Sequence, residues 1–178
     1  MEIINRLKQG NQQYLSLERS EGNISADIRQ YTSENGQHPF AVIVACSDSR
    51  VIPEAIFNCG IGELFVIRTA GNTIGENEAG SIEYALDHLH VKAVIVLGHS
   101  NCGAVAAALH GEAHGQVSPI IRKIKLAIGE ETVPYNASLL NARAAVNYLN
   151  ELFKEQFPDV LFMPAMYDIC TGKVDFDI

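Results

Sequence analysis

Three short, unbroken apolar runs limit what this chain can fold into: "PFAVIVACS" at 39–47, "ELFVIRTAG" at 63–71 and "KAVIVLG" at 92–98. Each is rich in β-branched residues and too short for a core helix, the pattern of a strand buried on both faces. Such strands need helices above and below them, and helical patterns lie between the runs. In "GSIEYALDHLH", Ile82, Ala85, Leu86 and Leu89 recur at helical spacing. Ser118 and Pro119 predict the N-cap and first turn of a helix over "IIRKIKLAI". "ASLLNARAAVNYLNELF" carries a stripe through Leu139, Val146, Leu149 and Phe153. A fourth run, "VLFMPAMYDI", contains Pro164 and so belongs nearer a sheet edge. The closing "YDICTGKVDF" predicts a hairpin around Thr171 and Gly172. The expected class is α/β, a mostly parallel central sheet flanked by helices, with an antiparallel C-terminal edge hairpin.

The 178 residues are read as one domain, 1–178, whose N-terminal helical arm at 1–22 places Ile3, Ile4, Leu7 and Tyr14 roughly on one face. The formal net charge is −8 and basic residues are not clustered, which argues against nucleic acid or an anionic membrane as partner. The opening residues lack the apolar core of a signal peptide, and no apolar stretch approaches the ~20 residues of a spanning helix. A cytoplasmic location is expected, where thiols stay reduced. A patterned cysteine there is a ligand or nucleophile more readily than half of a disulfide.

Of Cys46, Cys59, Cys102 and Cys170, two are patterned. Cys46 ends the first run in "CSDSR", and His99 and Cys102 follow the third in "GHSNCGAV". Ligands of open α/β sheets bind beyond the carboxyl ends of the strands, so both motifs fall on one rim. Two thiolates and an imidazole make a tetrahedral zinc site with its fourth position left over, the mark of a catalytic zinc. In an extended segment Asp48 and Arg50 would point the same way as Cys46. Asp48 could then close the site as fourth ligand. Alternatively, a bidentate pair with Arg50 would hold it to accept a hydrogen bond from zinc-bound water. Zinc with two thiolates acidifies water less than an all-histidine site, where the pKa falls to about 7, so an oriented acceptor helps. Gly103 and the small residues after it predict a helix whose free N–H groups face the site.

"ACSDSRVIPE", "GELFVIRTAGN", "SIEYALDHLHVKAVIVLGHSNCGAV" and "YDICTGKV" resemble the β-class carbonic anhydrases, as does the opening "RLKQGNQQYL". The resemblance runs from about 3 to 110 and again from about 136 to 176. It implies zinc ligands at Cys46, His99 and Cys102, one Zn2+ per subunit, a carboxylate–guanidinium dyad at Asp48 and Arg50, and reversible hydration of carbon dioxide to bicarbonate and a proton. It also implies a plant-type substrate pocket of Gln37, Phe65, Tyr84 and the Gly103 N–H, shared between subunits of a homodimer or a multiple of it. An apolar slot suits carbon dioxide, whereas bicarbonate needs donors. The N-terminal arm is then expected against a partner subunit. Thr69 and Pro164 depart from the family's usual asparagine and glycine, the stretch from Gly111 to Tyr135 matches poorly, and the lack of tryptophan removes a bicarbonate effector site of some bacterial members.

Other features are set aside. "GIG" at 60–62 precedes a strand instead of opening a helix, so it fails as a nucleotide loop. His88 and His90 are expected to cap a helix or face solvent, His110 and His114 to sit in a solvated loop, and Cys59 and Cys170 to be packing residues. His38 is a candidate proton shuttle at the pocket mouth. Two competing functions remain: hydrolysis of carbonyl sulfide or carbon disulfide on the same fold, and a non-catalytic zinc module closed by a fourth protein ligand.

Overall fold

The computed structural model describes residues 1–16, 22–111 and 113–178. Two strands, β1 (Ala41–Cys46) and β3 (Ala93–His99), are buried at every position, as their unbroken apolar runs require. With β2 (Leu64–Thr69), β4 (Leu161–Tyr167) and β5 (Val174–Asp175) they form one sheet in the order β2-β1-β3-β4-β5. All pairings are parallel except β4 with β5, which are antiparallel. The predicted class, its parallel centre and its closing hairpin are all present. Asp168 N–H bonds to the Lys173 carbonyl and Gly172 N–H to the Asp168 carbonyl, closing the turn. Pro164 sits on β4 outside the two-residue pairing with β5, where its missing N–H breaks no ladder.

Alternate residues of β1 serve opposite faces. Val42 and Val44 pack with Val94, Val96, Ile82 and Leu86 of α4 (Glu76–Asp87) and Leu149 and Phe153 of α7 (Pro134–Phe153). Ala41, Ile43 and Ala45 pack with Ile95, Leu97, Leu7 of α1 (Glu2–Ser16), Ile56 of α3 (Pro53–Ile56) and the C-terminal Phe176. A third cluster joins Cys46 and Cys102 to α5 (Gly103–His110) and α6 (Ser118–Ile128) through Val105, Ile121 and Ile124. Gly98 lets α7 close on β3: a Cβ there would lie 2.7 Å from Met166 Sδ of β4 and 3.3 Å from the Ser138 carbonyl of α7.

Several local expectations shift. α6 starts at Ser118 itself, led in by a 3-10 turn at Gly115–Val117, with Val117 as N-cap and no side-chain capping bond. Leu139 is only half buried; Ala137, Ser138, Asn141 and Ala142 fill that part of the inward face of α7. The helix α2 (Ala26–Asn35) was not foreseen, because none of its residues is buried and it has no apolar stripe to read. The end of the N-terminal arm predicted near Gly22 leads through 17–21, outside the described residues. α1 is anchored on its own chain. The Asn11 amide donates to the Ile56 and Gly172 carbonyls, and its oxygen accepts from Val174 N–H. These bonds tie α1 to both α3 and the hairpin. Replacing Asn11 by leucine orphans three buried backbone groups; urea unfolding should show a loss of at least about 1–3 kcal/mol. Exposed Gln12→Ala should stay within about 0.5 kcal/mol of wild type.

Candidate metal centre

The strand order reverses at β1: the chain moves to one side for β2 and to the other for β3. Outside the carboxyl ends of strands, such a switch point is a crevice in which side chains from two neighbouring strands meet. Cys46 is the last residue of β1 and His99 the last of β3, and the register pairs Ala45 with Leu97. Cys102 is the N-cap of α5, three residues on. One ligand atom from each of Cys46, His99 and Cys102 lies within 4.8 Å of the others, and all three residues are buried.

The donor set fits a metal. His99 is fully buried, and its Nδ1 lies 2.9 Å from the Ser100 carbonyl, which can only accept. The proton is therefore on Nδ1, and Nε2 presents a lone pair. That Nε2 is buried with no hydrogen-bond partner. An orphaned acceptor facing two buried thiols is the arrangement a soft cation completes. Ser100 is itself fixed by the end of β4, its N–H to the Tyr167 carbonyl and its Oγ accepting from Ile169 N–H.

The two thiols share their protons unequally. A hydrogen bond from Cys102, helped by the Asp48 and Gly71 N–H groups, pulls Cys46 well below an ordinary thiol. The same pairing and burial push Cys102 up, although Ala104 and Val105 N–H groups at the start of α5 oppose the shift. The expected free N–H groups of this helix therefore address the Cys102 sulfur.

Asp48 stands apart from the three donors. The segment after β1 is a turn, not extended: Val51 N–H closes onto the Asp48 carbonyl, and Arg50 N–H donates to Asp48 Oδ1. The turn brings Arg50 onto the carboxylate in two further bonds, Nε to Oδ1 at 2.9 Å and Nη2 to Oδ2 at 2.7 Å. Arg50 also reaches the Asn101 carbonyl next to Cys102. The Arg50 hydrogen bond holds Asp48 well below the usual carboxylate range. Sequence reading missed Arg68, which donates from β2 to the Cys46 and Asp48 carbonyls and braces this turn. Its lone charge inside an apolar run was the available signal.

Gln37, Phe65 and Tyr84 are not at this rim. Gln37 precedes β1, and Phe65 pairs with Val42 at the start of the sheet, four residues or roughly 13 Å along the strand from the Cys46–Thr69 pair. Tyr84 lies 6.3 Å from the Phe65 ring and is half exposed; Gln37 and His38 are exposed. Gly103, by contrast, opens α5 beside the cluster. His88 caps α4 and His90 is exposed, as expected. Cys59 is packed and pushed up to about 12 by burial, whereas Cys170, contrary to its expected packing role, is exposed in the hairpin turn.

A family model described as carbonic anhydrase matches residues 41–174. The chain belongs to the carbonic anhydrase family, in its β class. Carbonic anhydrase 2 of Mycobacterium tuberculosis is 48% identical over 103 residues, which are 58% of this chain and 49% of that protein. The carbonic anhydrase of Mycolicibacterium smegmatis is 38% identical over 149 residues, 82% of this chain and 68% of that one. The match thus spans about half the length of the first relative and two thirds of the second. Among solved structures, the tetrameric β-carbonic anhydrases of Sordaria macrospora align with a TM-score of 0.73 at 26% identity, covering 84% of this chain and 86% of theirs.

The Arg50 pair makes Asp48 a pH-resistant carboxylate. Its folded pKa is depressed, so the pair's stabilisation is present above the ordinary carboxylate value and is lost as pH falls through the lower folded one. Carboxyl-carbon NMR should find Asp48 still ionised below the range in which exposed aspartates titrate. In Arg50→Leu its titration should return toward about 3.9. An unchanged titration in that variant would show that Arg50 is not the cause.

Proposed function

We propose that this chain is a zinc enzyme that reversibly hydrates carbon dioxide to bicarbonate and a proton, with Cys46, His99 and Cys102 as the zinc ligands. The observation that carries the reading is the unpartnered His99 Nε2, buried between two thiols at the sheet's switch point, with a carboxylate beside it tied to arginine. A zinc ion held there supplies a Lewis acid that makes water acidic enough to be a nucleophile near neutral pH.

The remaining roles belong to this chain's own groups. Asp48, fixed through both oxygens by Arg50, uses its remaining lone pairs to accept a hydrogen bond from the attacking water and set its orientation. Arg50 keeps Asp48 ionised and, by occupying it, keeps it from filling the metal's fourth position, which favours the catalytic reading over a closed zinc module. The Gly103 N–H at the start of α5 offers a donor to the bicarbonate anion. Gln37, Phe65 and Tyr84 complete a substrate pocket from a second copy of the chain, since they lie at the other end of the strands from their own chain's cluster.

Zinc content and stopped-flow hydration measured on one sample test this reading. Wild-type turnover should track zinc. Asp48→Asn should keep zinc and lose about 100-fold or more in rate, and His99→Ala should lose zinc itself. Zinc-replete wild type without hydration at any alkaline pH would refute the function. For the shared pocket, sedimentation velocity should find a dimer or a multiple of it, and Tyr84→Ala should raise KM while leaving zinc content unchanged. A fully active monomer would refute that part alone.

A further inference from the structure

Gly71 is the point at which α7 reaches the metal cluster. It lies in the 3-10 turn Ala70–Asn72 that follows β2. Its N–H donates to Cys46 Sγ at 3.2 Å, and its carbonyl accepts from Asn141 Nδ2 at 2.8 Å. The carbonyl can only accept, so the Asn141 amide must present its nitrogen. Gly71 adopts φ 64° and ψ 26°, and a Cβ on it would lie 2.6 Å from Ile124 Cδ1 and 3.1 Å from Ala104 Cβ. Only glycine meets both conditions.

That glycine creates a mechanical weakness. The N–H and the carbonyl belong to adjacent peptide planes hinged at the residue least able to hold its own dihedrals. With the carbonyl free, the N–H would swing off the sulfur. Asn141 is 4% exposed and stands beside Ala137, Ser138 and Ala142 on the buried face of α7, where leaving its amide unpaired would be costly. An N–H···S bond draws electron density from a thiolate, so its direction bears on how strongly that sulfur donates to a cation.

Taking Cys46, His99 and Cys102 as metal ligands, we propose that Asn141 is a positioning residue of the metal centre: by clamping the Gly71 carbonyl it aims the Gly71 N–H at the Cys46 sulfur. Ser138 supplies the control. It lies one turn earlier on the same buried face, 2% exposed, and its Oγ has no hydrogen-bond partner.

The test loads wild type, Asn141→Leu and Ser138→Ala with Co2+ in place of zinc. It records the thiolate-to-cobalt charge-transfer band and the affinity for metal by chelator competition. Asn141→Leu should shift the band and weaken metal binding about 10–100-fold, while Ser138→Ala matches wild type on both counts. If Asn141→Leu does not fold, Asn141→Ala leaves space for the chain to accommodate the loss and carries the same comparison. A wild-type band and affinity in the Asn141 variant, whatever its melting temperature, would overturn the proposal, as would an equal change in Ser138→Ala. Wild type that takes up no Co2+ would remove the metal reading itself and this inference with it.

Discussion

The parallel pairing of β1 with β3, in the register that sets Val44 against Val96 and Ala45 against Leu97, brings the ends of two fully buried strands side by side. Alternate residues of both strands pack into two different clusters, so a slip by one residue would carry every side chain to the other cluster. Cys46 and His99 inherit that rigidity. Cys102 follows because the chain must turn from β3 into α5 within three residues, and the turn's own N-cap is the third donor. The cluster is thus positioned by sheet packing rather than by a flexible loop, as close placement of metal ligands demands.

Two thiols and an imidazole brought together in a buried site need their polar atoms oriented, and the surrounding bonds show how the chain does it. N–H groups of Asp48 and Gly71 face the Cys46 sulfur, while those of Ala104 and Val105 face Cys102. Two arginines then divide the adjacent turn. Arg50 takes the Asp48 carboxylate, and Arg68 takes the Asp48 and Cys46 carbonyls. Each leaves the three donor atoms free while fixing the backbone that carries them.

β1, β3 and the closing hairpin were legible because full burial writes an unbroken apolar run and a hairpin writes a glycine turn, whereas β2, read in the same way, is an edge strand that carries the exposed Arg68. The grouping of Cys46, His99 and Cys102 was legible from strand ends alone. What sequence could not supply depends on contacts through space. Asp48 and Arg50 meet through a turn rather than by alternation along a strand, so the right pair came from the wrong local geometry. Asn141 is distant in sequence from Gly71, and nothing along α7 marks its target. The solvated helix α2 lacks the periodicity that burial imposes, and Cys170 lies in a turn whose exposure its residue type does not reveal.

Separation of the cluster from Gln37, Phe65 and Tyr84 has a geometric consequence for the proposed pocket. Each chain carries one half at the carboxyl ends of its strands and the other at their amino ends. β2 is an edge strand, pairing only with β1 among the described residues. In the proposed dimer, a two-fold axis beside that edge and perpendicular to the strands would reverse their direction in the second copy, so that the amino end of one sheet would meet the carboxyl end of the other. Two complete pockets would then arise from two incomplete ones, and the same contact would cover the β2 edge, which could otherwise invite unspecific pairing. On this proposal, substrate specificity and assembly answer to the same residues, whereas metal binding answers to the fold of the single chain.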